Sequence, residues 1–282
     1  MAARKGGYGF LAPVVVVMLF AMVLAFAGFV FGLASKASQA PLGYGSEAIF
    51  VNLSILGIGF IVGVFIFYRV LQESINFVVK IAVALFVFSA VMSLLIYFRL
   101  LLTYYGFSNP LLHFSLTIIA YLCGFLGVMA IFDVLSTYWR NMLFAVCSAT
   151  IGAFIGAVAP TVGVILILLI FAVLDFVLVK KEVVKRTKKI SEDYEKIVLK
   201  MSYAARDWAI GLADLVCYAM LVANCFVHFG LIASLGSLLL VLVGAILAFK
   251  EALKLNQVPG LPYSVVLGLI PVFVYMFIPG LP

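Results

Sequence analysis

The sequence predicts an all-α, polytopic membrane protein of about nine transmembrane helices in a single membrane domain. The chain has 282 residues, of which 67% are hydrophobic and only 10% are charged, whereas a soluble domain carries about 25% charged residues. Apolar runs of about 20 residues recur from end to end, and a helix of that length crosses about 30 Å of hydrocarbon. Lipid is therefore the expected solvent for most of the chain.

The first apolar run, residues 10–33, follows Arg4 and Lys5, a pattern that secretory signals share. The run is longer than the apolar region of a signal peptide, about 7 to 15 residues, so we expect it to be the first span. Hydropathy predicts eight further spans, at residues 49–67, 77–98, 111–132, 142–159, 161–179, 208–227, 231–249 and 262–278.

Lys and Arg residues in the connections predict the orientation. Arg4, Lys5 and nine basic residues between positions 180 and 206 fall on one side, whereas the other side has only Lys36 and Arg99. The positive-inside rule then places the N-terminus in the cytoplasm and the C-terminus outside the cell. The membrane domain, residues 1–282, is thus organised as spans one to six (1–179), a cytoplasmic loop (180–207) and spans seven to nine (208–282).

The predicted loop carries nine basic and five acidic residues. Its apolar residues recur at helical spacing, as in an amphipathic helix on the membrane surface: Ile190, Tyr194, Ile197, Val198 and Met201. A solvated linker is the alternative. The net charge of +7 is explained by anionic lipid and by orientation, so we expect no nucleic-acid partner.

Two of the eleven acidic residues, Asp175 and Asp214, lie inside apolar helices. An ionised Asp at the bilayer centre costs about 2.5 to 3.5 kcal/mol on insertion scales, so such a residue is expected to have a function and a partner. Asp175 precedes the loop and Asp214 follows it, which places them roughly 8 and 10 Å from the cytoplasmic face. Since consecutive spans are antiparallel, the two carboxyls can meet between spans six and seven. Gly211, on the same helical face as Asp214, would allow close approach.

A close pair of carboxyls shares one proton and titrates as a unit, which is the chemistry of aspartic proteases. One acid takes a proton from the attacking water, and the other donates a hydrogen bond to the oxygen of the tetrahedral intermediate. Other hydrolytic sites find less support, because the chain has no HExxH motif and its histidines, His113 and His228, are predicted near the outer ends of spans. The four cysteines lie in apolar runs without metal-site spacing, so neither a metal nor another cofactor is expected.

The last span begins with Pro259-Gly260-Leu261-Pro262, predicted at the same depth as the two acids. Two prolines and a glycine prevent a regular helical start, which leaves backbone groups without helical partners. An unwound substrate could pair with this backbone by strand addition. The alternative is a helix N-terminus that happens to contain prolines.

These three elements, in this order and spacing, resemble the presenilin and signal peptide peptidase family of intramembrane aspartyl proteases, and most closely its microbial members. The resemblance covers the whole nine-span layout. In that family the acids lie in Tyr-Asp on span six and Gly-x-Gly-Asp on span seven, and Pro-Ala-Leu opens span nine. This chain departs from each motif, through Leu174, Ala213 and Gly260 respectively.

The resemblance implies that Asp175 and Asp214 are catalytic. It further implies that two segments position the substrate. The first consists of Gly211, Leu212 and Ala213, and the second of Pro259, Gly260, Leu261 and Pro262. The implied substrates are transmembrane helices, such as signal-peptide remnants, cut within the bilayer. Two other functions stay open at this point, a proton-coupled transporter or channel and a catalytically silent scaffold. The oligomeric state is open too, because small residues such as Gly152 and Gly156 suit contacts within a chain as well as between chains.

Overall fold

A computed structural model of the chain describes residues 2–3, 8–33, 75–106, isolated positions between 114 and 129, and residues 135–180, 202–204, 208–255 and 259–278. A single 3-10 turn, Tyr8–Phe10, leads into the first helix. The helices of this part of the chain are α1 (Leu11–Val30), α2 (Ile75–Tyr104), α3 (Thr137–Val158), α4 (Thr161–Lys180), α5 (Leu212–Leu255), α6 (Leu261–Gly268) and α7 (Ile270–Phe277).

Helices α1, α2, α3 and α5 are long and apolar enough to cross a membrane, and α4 and the α6–α7 pair form shorter apolar stretches. The prediction of a helical, multi-pass membrane protein is therefore confirmed. The predicted span at 49–67 and the proposed amphipathic helix of the loop lie outside the described residues. The span predicted at 111–132 is described only at isolated positions.

One boundary was predicted wrongly. Residues 208–211 were expected to open the seventh helix, but they form strand β3 (Trp208–Gly211), and the helix begins at Leu212. Strand β3 lies between β1 (Ala2–Ala3) and β2 (Ser202–Ala204) in an antiparallel three-stranded sheet. The four residues are as apolar as the helix that follows, so hydropathy does not separate the two. Their backbone instead pairs with a strand on each side.

Aromatic side chains fix this sheet to the end of the helical bundle. The Trp208 ring stacks on Tyr203 of β2 with centroids 5.8 Å apart and meets the edge of Phe10 at 6.5 Å. Phe10 in turn stacks on Phe249, near the end of α5, at 4.1 Å. The sheet, the start of α1 and the last turns of α5 therefore lie at the same end of the bundle.

Small residues allow α3 and α5 to pack closely. Gly152 and Gly156 face α5 directly, since a Cβ added to Gly152 would lie 2.4 Å from the Ala219 Cβ and one added to Gly156 would lie 2.4 Å from the Met220 carbonyl oxygen. Glycine at both places lets the two backbones approach, as in small-xxx-small contacts of membrane helices. These two glycines therefore serve a contact within the chain.

Helix α5 contains two spans joined by a single residue. Gly230 has φ 87° and ψ −175°, which is a left-handed region that favours glycine, and the chain reverses there. Hydrogen bonds hold the two arms together: the Ser234 hydroxyl donates to the Val222 carbonyl at 2.9 Å. The predicted seventh and eighth spans thus form a tight hairpin.

The last predicted span, 262–278, is also divided. Helix α6 ends at Gly268 and α7 begins at Ile270, because Pro271 has no N–H to donate to the carbonyl of Leu267. The Ser237 hydroxyl, from the second arm of α5, donates to the Gly268 carbonyl at 2.9 Å. This bond ties the break in the last span to α5.

Asn224 closes the turn between α3 and α4. Its side-chain amide donates to the carbonyl of Gly156 at 2.9 Å and to that of Ala159 at 3.1 Å. In a continuing helix, residue 160 would donate to Gly156, but residue 160 is proline. Asn224 therefore replaces a backbone donor that the sequence lacks.

Candidate active site

Asp214 lies in the first turn of α5, directly after β3. It is buried, with 9% of its surface exposed, and the backbone of Gly211 lies within hydrogen-bonding reach of its carboxyl. A Cβ added to Gly211 would lie 3.5 Å from the Asp214 carboxyl carbon, so the glycine and the acid are in contact. A carboxyl in the first turn also meets the unpaired N–H groups and the positive end of the helix dipole. The strand-to-helix junction thus sets where this acid lies.

Asp175 lies near the end of α4 and is half-buried. The backbone N–H of Leu261 donates to its Oδ2 atom at 3.1 Å, and the Gly260 backbone is within hydrogen-bonding reach of the same carboxyl. The donor comes from the last span, 86 residues further along the chain. The Pro-Gly-Leu-Pro segment and Asp175, which the sequence predicted at the same depth, are therefore in direct contact.

The two acids interact electrostatically with each other. The side chains of Cys217 and Tyr218, on the same first arm of α5, also interact with both carboxyls. Asp214 and Asp175 therefore face one region, bounded by the ends of α4, α5 and α6 that lie nearest to the sheet.

The start of α6 is held in place on two sides. A Cβ added to Gly244, on the second arm of α5, would lie 2.5 Å from the Ser264 Cα and 2.6 Å from the Tyr263 carbonyl oxygen, so the two backbones touch. The Tyr263 hydroxyl donates to the Glu251 carboxylate at 2.5 Å. The prediction that the prolines and the glycine prevent a regular helical start was wrong, because α6 begins at Leu261. Pro262 fits in the first turn of α6, where a backbone N–H would have no helical acceptor.

The other predicted site residues have different surroundings. The Leu212 side chain is buried in a cluster with α2 and α3 that includes Val83 and Phe144, and Ala213 is exposed. Leu174, next to Asp175, is half-buried. The backbone donors of the Pro-Gly-Leu-Pro segment were expected to be free for a substrate. Instead, the Leu261 N–H is bonded to Asp175.

Sequence reasoning missed two hydroxyl-bearing side chains of this region, Tyr218 and Ser264. Both are buried, at 3% and 0% exposure, and their side chains lie next to each other. Tyr218 follows Asp214 by four residues, so helical spacing alone could have placed it on the same face. Both histidines were predicted to lie away from the site. His228 lies near Ala159 at the far end of the bundle, and His113 lies outside the described residues.

In the described part of the chain, no three His, Cys, Asp or Glu side chains cluster as metal ligands would. The described cysteines, Cys147, Cys217 and Cys225, are buried and form no disulfide with one another.

Neither a protein-family model nor a curated protein sequence matches this chain. Solved structures do match it. A structure of a presenilin family intramembrane aspartate protease in the P2 space group has a TM-score of 0.61 and 18% identity, over 97% of this chain and 99% of that one. A second structure with the same description, in the C222 space group, has a TM-score of 0.55 and 17% identity, over 94% and 97% of the two chains. The resemblance predicted from the sequence is thus confirmed for the fold: over nearly its whole length, this chain folds like presenilin family intramembrane aspartate proteases.

Proposed function

We propose that this protein is an intramembrane aspartyl endopeptidase in which Asp175 and Asp214 form the catalytic pair. The observation that best supports the proposal is the hydrogen bond from the Leu261 N–H to Asp175 Oδ2, together with the electrostatic interaction between the two acids. An acid in a membrane span, a second acid facing it and a backbone donor that holds the first acid are suited to the aspartic type of peptide hydrolysis, which uses no metal.

The proposed chemistry divides the two roles between the acids. A water held between them loses a proton to the carboxylate as it attacks the scissile carbonyl, and the neutral acid hydrogen-bonds the carbonyl oxygen as it gains charge. The Leu261 N–H keeps Asp175 Oδ2 as an acceptor, so proton exchange on that residue falls to the other oxygen. No covalent enzyme intermediate is required.

The proposed substrates are single transmembrane helices, including signal-peptide remnants. A helical peptide bond is shielded by its own hydrogen bonds, so the substrate must unwind where it is cut. Strand β3 brings extended backbone to the site, and among the described residues its last two positions, Ile210 and Gly211, pair with β2 alone. In the Pro-Gly-Leu-Pro segment, Pro259 and Gly260 precede the helix that begins at Leu261. An extended substrate can pair with backbone of this kind. The segments that we propose for positioning the substrate are 211–213 and 259–262.

The orientation follows from charge and is part of the proposal. With the N-terminus in the cytoplasm, the charged loop and the candidate site lie on the cytoplasmic side of the bilayer and the C-terminus lies outside. Cleavage would then occur in the cytoplasmic half of the substrate span.

The test is cleavage of a panel of single-span peptides by purified protein in liposomes, with products identified by mass spectrometry. We expect wild-type protein to cut within the apolar segment and Asp175→Asn and Asp214→Asn to make no product while they melt like the wild type. Asp193→Asn, the same change in the charged loop, is the control and should cut normally.

Retained cleavage in either of the two site variants would contradict the catalytic pair. The same liposomes, loaded with a pH-sensitive dye, read out the transport alternative. Proton flux without peptide products would replace the protease with a transporter, and bound but uncut peptides would indicate a scaffold.

A further inference from the structure

We propose that Tyr218, held in place by Ser264, is a positioning residue for Asp214: its hydroxyl provides the hydrogen bond that orients the Asp214 carboxyl for hydrolysis. The inference rests on the proposed function. It adds a second pair of polar side chains, one helical turn deeper in the membrane than the two acids, to which neither the sequence motifs nor the resemblance gives a role.

Tyr218 is placed to reach Asp214. It lies one turn further along the same arm of α5, and helical side chains lean back toward the helix N-terminus, so its ring extends toward the acid. Its side chain is 3% exposed and interacts electrostatically with Asp214 and, more weakly, with Asp175. A phenol buried at membrane depth is costly unless its hydroxyl has a partner, so this hydroxyl is expected to make hydrogen bonds.

Ser264 lies on the other side of that hydroxyl. It is fully buried, and its Oγ makes no well-aligned hydrogen bond to the described residues, although the Tyr218 hydroxyl is close to it. Its backbone is fixed, because Gly244 packs directly against the Ser264 Cα and backbone nitrogen. A buried hydroxyl with unused bonding capacity, held rigidly beside a phenol near an acid, is suited to complete a chain of hydrogen bonds.

The direction of this chain follows from the donors available. A Tyr hydroxyl has one proton, so if it donates that proton to Asp214, a hydrogen bond between Tyr218 and Ser264 must have the Ser264 hydroxyl as its donor. The last span would then serve both acids. Leu261 donates directly to Asp175, and Ser264, three residues later, acts on Asp214 through Tyr218.

Kinetics on the single-span peptides test the inference. Removing a hydrogen bond to a charged group in Tyr218→Phe should lower kcat about 10- to 100-fold, with KM nearly unchanged because substrate contacts remain. Ser264→Ala should have a smaller effect in the same direction. The double variant should be no slower than Tyr218→Phe, because Ser264 acts through Tyr218.

Tyr97→Phe is the matched control. Tyr97 is also buried, its hydroxyl has no hydrogen-bond partner among the described residues, and it packs against Phe154 and Gly28, which places it in a separate cluster. The Tyr97→Phe variant loses a phenolic oxygen, as Tyr218→Phe does, but it should keep the wild-type kcat. Wild-type kcat in Tyr218→Phe would overturn the inference, as would additive losses in the double variant.

An infrared measurement tests the role of Tyr218 even if no peptide is cut. An absence of cleavage would refute only the proposed protease function, not the contact between Tyr218 and Asp214. The carboxyl band that Asp214→Asn removes identifies Asp214. That band should shift in frequency in Tyr218→Phe and stay in place in Tyr97→Phe. An unchanged band in Tyr218→Phe would show that Tyr218 only fills space, whatever the activity of the protein.

Discussion

Gly244→Ala tests whether the position of the last span controls the candidate site. The added Cβ would lie 2.5 Å from the Ser264 Cα and 2.6 to 2.7 Å from two further backbone atoms of α6, where ordinary contacts begin at 3.4 Å. Because backbone atoms cannot rotate away, the start of α6 must retreat by about 1 Å, as overpacking in a close-packed interior requires. Overpacking of this kind costs about 1 to 3 kcal/mol of stability.

The same retreat reaches the site. The Leu261 N–H lies 3.1 Å from Asp175 Oδ2, already near the long end of a normal hydrogen bond, so a movement of about 1 Å would break it. A misplacement of about 1 Å at a catalytic group costs on the order of 100-fold in rate. We therefore expect Gly244→Ala to fold, to melt earlier than the wild type and to cleave single-span peptides about 100-fold more slowly.

Gly163→Ala is the control for this experiment, because among the described residues a Cβ there would meet only the side chain of Pro160, at 3.5 Å. It should keep wild-type cleavage, and its melting temperature should not fall, since alanine is the better helix former. The assay compares initial cleavage rates and detergent melting curves of both variants. Wild-type cleavage by a folded Gly244→Ala protein would refute the reasoning, because it would show that the α6 backbone does not set the geometry at Asp175.

Two further predictions concern stability alone. Asn224→Leu keeps a side chain of similar shape but removes both hydrogen bonds to the end of α3, so it should lower the free energy of unfolding by about 1 to 2 kcal/mol. Reversible unfolding in mixed detergent measures this free energy. A smaller loss of stability in Asn224→Leu than in Asn224→Gln would contradict the role assigned to Asn224. Gly152→Ala places a methyl 2.4 Å from Ala219 and should cost about 1 to 3 kcal/mol in the same assay, whereas equal stability to wild type would mean that α3 and α5 lie further apart than described.

The two acids could be found from the sequence because the membrane makes them conspicuous. A charged side chain within an apolar run has a large free-energy cost, so Asp175 and Asp214 stand out without any knowledge of the fold. The prediction that both acids lie at the same membrane depth as the Pro-Gly-Leu-Pro segment came from counting residues to the nearest charged connection. The contact between Leu261 and Asp175 agrees with that count.

Other features carry no comparable signal in the sequence. Tyr218 and Ser264 are ordinary residues for a membrane span, and only the packing of α6 on α5 brings them together. Strand β3 is as apolar as the helix after it, and its partners, β1 and β2, come from distant parts of the sequence or from a charged loop. Pairing between such segments cannot be predicted from local periodicity.

The division of the last span was readable in principle. Pro271 lies in the middle of the predicted helix, and a proline inside a helix removes a hydrogen bond and displaces the preceding turn. Membrane helices often tolerate proline through partners on neighbouring helices, so the residue alone does not predict a break. Here Pro271 removes the donor to the Leu267 carbonyl, and the Ser237 hydroxyl bonds the next carbonyl, that of Gly268, which ties the break to α5.

The hydrogen bond between Leu261 and Asp175 also has a consequence for the biosynthesis of the protein. The donor is synthesised 86 residues after its acceptor, so at about 5 to 20 residues per second the ribosome needs roughly 4 to 17 s to add it. Asp214 follows Asp175 by 39 residues, so over the last 47 residues of that interval the nascent chain contains both acids but lacks the segment that orients Asp175. A chain that is still being translated therefore cannot form the arrangement described here, and the neighbouring spans that are being inserted beside it are not exposed to a finished site.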